Sequence, residues 1–467
     1  MARKRRIAPR RPAATSETRS PPAAASIPPA TLGGSAAGVG EVETTGRFVV
    51  IFKEDVSKSA ISATLNKAAG LRNVVASGDF TDSGDAAEAL DSADAVHFQS
   101  LGIAVVAGEE SVQALAATAS SDDSSILAIE PEYIAYPTAE NEFPFEYLRG
   151  YRDAVNQLYD HLTSRVVAAG LEAEALAAFQ DTAQFTWGLQ ATRVSTSSRN
   201  GQGIKVAVLD TGLDFQHPDF RGRAIVSKSF VNGVTPDDVF GHGTHCAGTA
   251  CGPQRPASGV RRYGIAFASQ IFVGKVFNNA PRPQAPTGNV VAGIEWAVIN
   301  GCQVVSMSLG APINQKIQQY EVPIRRALAA GTLVVAAAGN NAQRPGNPGF
   351  VEPPANADAA MAVAAIDRQL QIARFSSRSS QLTGVGGTVN VAAPGVAVFS
   401  SVPVAQGSHA LFDGTSMATP HVAGIAALWA QATGDTGNAL WSRLIQSARP
   451  LTLPSVDVGS GLVQAPQ

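Results

Sequence analysis

Four short stretches in the second half of the chain are almost continuously apolar: "IKVAVLD" (204–210), "QIFVGKVF" (270–277), "CQVVSMSLG" (302–310) and "GTLVVAAAG" (331–339). A strand with protein on both faces reads as an unbroken apolar run, whereas a half-exposed strand alternates. Between these runs, "NVVAGIEWAVING" (289–301) and "VPIRRALAAG" (322–331) read as helices. Buried strands alternating with helices predict an α/β fold, with a largely parallel sheet and helices on both faces. In such a sheet functional groups collect at the carboxyl ends of the strands.

The chain has 467 residues, more than one small domain needs. Four segments are expected. Residues 1–45 are Pro-, Ala- and Ser-rich and basic, and read as a solvated, disordered tail. Residues 46–137 read as a small α+β domain in the order strand, helix, strand, strand, helix, strand, with an antiparallel sheet and its helices on one face. Residues 138–185 read as a helical connector, with Leu148, Tyr151, Val155, Leu158, Leu162 and Val166 on one apolar stripe. The α/β pattern fills 186–467.

A net charge of −3 argues against a nucleic-acid partner. No apolar run reaches the ~18 residues of a membrane span, so no membrane association is expected. The basic start "MARKRRIAPRRP" is followed by a Pro-interrupted stretch rather than the apolar centre of a signal peptide. That favours a cytoplasmic location, with secretion as the alternative. Cys246, Cys251 and Cys302 read as buried small side chains, with a single disulfide left open.

Three segments carry the candidate chemistry. "VAVLDTG" ends a strand on Asp210, "GHGTHCAGT" sets His242 between two glycines, and "DGTSMATPHVAG" places Ser416 just before an apolar helix. Each has a plain structural use. Asp210 can receive backbone N–H groups, His242 can be a satisfied turn residue, and Thr415 or Ser416 can be a helix N-cap. Together, an Asp, a His and a Ser can form a nucleophilic relay, because a neutral imidazole takes the hydroxyl proton and a carboxylate fixes its tautomer.

These segments resemble the signatures of the subtilisin superfamily of serine proteases, in the same order and from about Phe185 to the end. Cys246 beside the His makes that segment most similar to the proteinase K branch. The resemblance implies a subtilisin-like fold and an acyl-enzyme mechanism on protein or peptide substrates, with no cofactor required for the chemistry. It implies Ser416 as nucleophile, His242 as base, Asp210 as its orienting partner and Asn340 in "AAAGNN" as oxyanion donor beside the Ser416 backbone N–H. Ser308, Leu309 and Gly310 would pair with an extended substrate. Ala338 and Gly339 would line the opposite wall of the specificity pocket. Glu352 would stand at its base and favour Lys or Arg before the scissile bond. A loop carboxylate is the alternative for Glu352.

Asp219 matches a calcium-binding Asp of many subtilisins. The segment "CGPQRPASGVRRYG" with Arg261 and Arg262, and Asn390 in place of an Asp, depart from the usual calcium pattern, so structural calcium stays open. Residues 46–137 resemble the family's inhibitory propeptide, which would act as an intramolecular inhibitor with "EPEYIAYPT" in the cleft and a processing point near Thr138. Arg149, Arg152 and Arg165 are the alternative processing sites.

Overall fold

The computed structural model describes residues 42–68, 71–80, 85–120, 124–138, 179–380 and 386–467. Residues 1–41 of the expected tail lie outside the described residues. So do residues 139–178 of the expected connector, with its apolar stripe and Arg149, Arg152 and Arg165.

The small N-terminal part runs β1 (Thr44–Phe52), α1 (Lys58–Ala68), β2 (Val74–Ala76), α2 (Asp85–Ser92), β3 (Ala95–Phe98), β4 (Ile103–Val106), α3 (Glu109–Ala119) and β5 (Ile126–Pro137). The expected strands and helices are present, with β2 and α2 in addition. Sequence reading passed over these two because β2 has three residues and "DAAEALDS" is rich in small and polar side chains. The strand order is β5-β1-β4-β3-β2, antiparallel throughout except for the parallel pair β2–β3. Val50, Phe52, Ile61, Leu65, Ala104, Val106 and Leu115 form a core of their own under α1 and α3.

The larger part contains α4 (Trp187–Ala191), β6 (Lys205–Asp210), β7 (Ile225–Ser229), α5 (His242–Cys251), β8 (Gln270–Lys275), β9 (Ala285–Pro286), α6 (Thr287–Ile299), β10 (Val304–Met307), β11 (Leu309–Gly310), α7 (Gln318–Ala329), β12 (Leu333–Ala337), β13 (Ala360–Ile366), β14 (Val391–Pro394), β15 (Val398–Ser401), β16 (His409–Phe412), α8 (Thr415–Thr433) and α9 (Gly437–Ser447). Seven strands form one parallel sheet in the order β14-β13-β12-β10-β6-β8-β7. The four apolar runs supply β6, β8, β10 and β12, and every residue of β10, β12 and β13 is buried. Helices α5 and α8 pack on each other and on the sheet, and α6 and α7 form a second pair. This arrangement hides backbone polar groups and apolar side chains together, which continuous apolar strands require. Among the described residues no helix is long and apolar enough to cross a membrane.

The two parts meet through β5. Its N-terminal stretch belongs to the small sheet. Its last residues pair antiparallel with β9 (Ile134 with Pro286) and with β11 (Tyr136 with Gly310, Pro137 with Leu309). The strand therefore leads directly to the carboxyl ends of β6, β10 and β12.

Candidate active site

Strand β6 ends on Asp210, and its Oδ1 lies 2.7 Å from His242 Nδ1. Asp210 Oδ1 also accepts the Thr211 N–H at 2.7 Å, which orients the carboxylate. His242 opens helix α5 after Gly241, and both partners are buried. The loop before it is fixed by Asp238, whose carboxylate receives Phe240 N, Gly241 N, Thr244 N and the hydroxyls of Thr211 and Thr244. Burial opposes protonation of His242. The Asp210 carboxylate, with a contribution from Cys246, outweighs it and holds the imidazole well above its ordinary 6.5.

Ser416 is the second residue of α8, not a cap before it. Gly414 occupies the N-cap position with no side-chain cap. Ser416 Oγ lies 2.6 Å from the Thr138 carbonyl oxygen, 2.6 Å from Thr138 Oγ1 and 3.2 Å from Ser308 O. Its hydroxyl is thus turned to the end of β5, while His242 Nε2 is buried without a hydrogen-bond partner among the described residues. Cys246 Sγ lies 3.9 Å from His242 Nδ1 and donates to Ser416 O at 3.6 Å. All three cysteines are free, so the disulfide left open by the sequence is absent.

The Thr138 carbonyl oxygen also receives Asn340 Nδ2 at 2.6 Å. Asn340 follows β12, and its Oδ1 accepts both Thr415 N (3.0 Å) and Thr415 Oγ1 (2.9 Å). These two donors settle which way the amide points. The Ser416 backbone N–H is not among the donors to that oxygen. The Ser416 hydroxyl stands there instead. A Cβ on Gly414 would come within 2.9 Å of the same oxygen, so the glycine keeps the approach open.

Ser308, Leu309 and Gly310 sit where a strand edge was expected, with Thr138 N donating to Ser308 O at 3.4 Å. Ala338 and Gly339 lie across from them, and Glu352 N donates to Ala338 O. Cβ atoms on Gly310 and Gly339 would stand 2.5 and 3.1 Å from Glu352 Oε2, so both glycines make room for that carboxylate. Glu352 is no solvent-facing loop residue. Burial pushes it up to about 7, partly offset by the hydrogen bond from Asn341 Nδ2 at 2.7 Å.

The groups at Asp219 and Asn390, where calcium was left open, do not fit calcium. Asp219 receives Tyr263 Oη at 2.6 Å, Ala257 N at 2.6 Å and His409 Nε2 at 3.1 Å. Calcium takes six to eight oxygen ligands, whereas the groups gathered here include the imidazoles of His217 and His409. Asn390 Oδ1 accepts Ala362 N. Arg262 bonds the carbonyls of Gly264 and Ile265, and Arg261 pairs with Asp181, so the unusual loop is held by protein groups.

Residues 201–461 match the Subtilase family. The chain belongs to that family. It is a serine endopeptidase of the subtilisin kind. Subtilisin DY of Bacillus licheniformis is 37% identical over 241 residues, covering 51% of this chain and 81% of that protein. The thermostable alkaline protease of Halalkalibacterium halodurans is 31% identical over 353 residues, covering 73% and 90%. Among solved structures, fervidolysin from Fervidobacterium pennivorans, a keratinolytic enzyme related to subtilisin, superposes with a TM-score of 0.62 at 22% identity. That match covers 92% of this chain and 61% of fervidolysin, and it speaks for the fold alone.

This subtilase holds its N-terminal part by contacts that motif reading did not find. Glu132 Oε1 accepts Gly288 N at the start of α6, and its other oxygen takes Arg47 Nε at 2.7 Å and the Thr45 hydroxyl. Glu130 accepts Gln318 N and Gln319 N at the start of α7. Two carboxylates thus sit on two helix N-termini, where the orphan N–H groups and the helix dipole favour negative charge. In return Glu295 of α6 accepts Ser100 N at 2.6 Å, and Arg326 of α7 donates to the carbonyls of Leu101 and Phe52. The available signal was the spacing of Glu130 and Glu132, which places both on one face of β5.

Proposed function

We propose that this subtilase is made as a self-inhibited precursor in which Ser416, His242, Asp210 and Asn340 hydrolyse peptide bonds, first between Thr138 and Ala139. The observation that carries the reading is the Thr138 carbonyl oxygen, 2.6 Å from both Asn340 Nδ2 and Ser416 Oγ. The hydroxyl swings from that oxygen to His242 Nε2. As Oγ bonds to the carbonyl carbon, its proton passes to Nε2, and Asp210 stabilises the imidazolium at Nδ1. The negative charge that develops on the carbonyl oxygen is met by Asn340 Nδ2. His242 then gives the proton to the departing amine, the C–N bond breaks, and Ser416 is left as an ester. Water attacks this ester by the same route in reverse, and no step needs a cofactor.

The N-terminal part (β1 to β5) is read as the inhibitor. After the cut, its C-terminal strand stays paired with β11 and β9 and blocks the Ser308–Gly310 edge that a substrate would use. Glu352 is read as the base of the pocket for the residue before the scissile bond, favouring Lys or Arg. Its support is a buried carboxylate beside Thr138 with only Asn341 hydrogen-bonded to it among the described residues.

A fluorophosphonate that labels reactive serines tests the proposal. After self-processing the wild type takes the label and Ser416→Ala does not. A wild type that neither cuts itself nor takes the label would indicate a protease-like binding module instead. For the pocket, Lys or Arg peptides are cleaved faster than Leu or Phe peptides, and an unchanged ratio in Glu352→Gln refutes the assignment.

A further inference from the structure

The pocket that receives Thr138 holds two polar groups to which Thr138 offers no counterpart. Glu352 Oε2 lies against Gly310 and Gly339. Ser377 Oγ is buried without a hydrogen-bond partner among the described residues, 3.0 Å from the place a Cβ on Gly339 would take. The Thr138 methyl faces them: Cγ2 lies 3.0 Å from the Gly310 Cβ position that is itself 2.5 Å from Glu352 Oε2. The groups around the carboxylate are Asn341, Ser377, Thr138 and the backbone of Gly310 and Gly339. None is titratable near neutral pH, and no lysine, arginine or histidine pairs with Glu352 among the described residues.

A methyl group cannot compensate a carboxylate removed from water, so a neutral side chain in this pocket favours the uncharged acid. An ammonium or guanidinium favours the ionised form, and Ser377 Oγ offers it a second oxygen. We propose that the pocket is a proton-linked selector. It retains the chain's own Thr138 with Glu352 protonated and accepts a basic substrate side chain with Glu352 ionised. Loss of one proton thereby exchanges inhibitor for substrate. This rests on the pocket reading given above and adds its regulation.

The pH window follows from the two states. With Thr138 in place the carboxyl titrates near 7, and in an open, hydrated pocket it returns towards its ordinary 4.5. The closed form then carries a proton that the open form lacks between these values. The hold is fully present below about 4.5, is lost by about tenfold per pH unit up to about 7, and is constant above that. Glu130 and Glu295, whose carboxyls burial also raises at the same interface, add pH dependence of the same sign. The Glu352 contribution is therefore read as a difference between variants.

The full-length chain is allowed to cut itself and is then incubated at set values between about pH 5 and about pH 8. The rate at which latent activity appears is assayed at one common pH, so that titration of His242 in the assay does not enter. In the wild type the rate rises up to about pH 7 and then levels. In Glu352→Gln the slope falls by about one decade per pH unit. Thr138→Lys loses the same part of the slope and holds more tightly at neutral pH. An unchanged slope in Glu352→Gln overturns the proposal.

A second measurement needs no cleavage. In the full chain carrying Ser416→Ala, infrared difference spectra at about pH 6 show a protonated carboxyl band that Glu352→Gln and Thr138→Lys each remove. Absence of that band also overturns the proposal. The Lys-to-Leu cleavage ratio of the processed enzyme is scored separately. A missing basic preference with an intact slope refutes the pocket's specificity and leaves its proton linkage standing.

Discussion

Replacing Asn340 by alanine removes the side-chain donor at the Thr138 carbonyl oxygen and leaves the Asp210–His242 pair untouched. The bond it removes is short, 2.6 Å, and the amide is already aimed by the two donors from Thr415. In the ground state such a bond to a neutral carbonyl contributes about 0.5–1.5 kcal/mol. As the oxygen becomes an anion in a water-excluded site the contribution grows, and losing one oxyanion donor costs about 2.7–4 kcal/mol, or about 10²–10³ in kcat. Steady-state kinetics on a short Lys peptide should therefore show kcat falling by that factor and KM moving by less than about tenfold. Thr415→Ala removes one of the two bonds that orient the amide and should lower kcat by about 2- to 10-fold, with Thr415→Ser restoring it. A loss below about tenfold in kcat for Asn340→Ala refutes the oxyanion assignment.

His242 must be neutral to accept the Ser416 proton, and Asp210 raises its protonation range, so kcat/KM should climb with pH along a limb above 6.5. Asp210→Asn should shift that limb to lower pH and reduce kcat on the order of 10⁴. A limb that stays in place in the pH–rate profile contradicts the pairing. Glu132→Ala leaves Gly288 N and Arg47 without their buried partner, a loss of about 3–5 kcal/mol. Latent activity of the full chain should then appear much sooner than in the wild type, while kcat/KM of the processed enzyme is unchanged.

The parallel sheet was legible because its strands are buried on both faces and carry no alternation. The pairing of Asp210 with His242, and the meeting of Asn340 and Ser416 at one carbonyl, lie where a short motif holds both the residue and its turn. Leu309 and Gly310 pair with the end of β5, and Thr138 N donates to Ser308 O, as an extended strand on that edge does. What the sequence hid depends on groups distant in the chain. The partners that fill the Asp219 carboxylate, Tyr263 and His409, come from a later loop and from β16, so the motif match at Asp219 left calcium open. Glu130 and Glu132 find their partners only where α7 and α6 present their N-termini to them. An N-cap role was the plain alternative for Thr415 or Ser416, because hydroxyls often serve there. Gly414 takes that position and leaves the hydroxyl free to face Thr138.

The account's central claim is that Ser416 attacks the Thr138 carbonyl of its own chain. Intact-mass measurement of the purified full-length wild type and of Ser416→Ala tests it most directly. The account predicts a wild-type fragment that ends at Thr138 and a protease that begins at Ala139, with Ser416→Ala remaining whole. A cut after Arg149, Arg152 or Arg165 in place of Thr138, or the same cut appearing in purified Ser416→Ala, would contradict it.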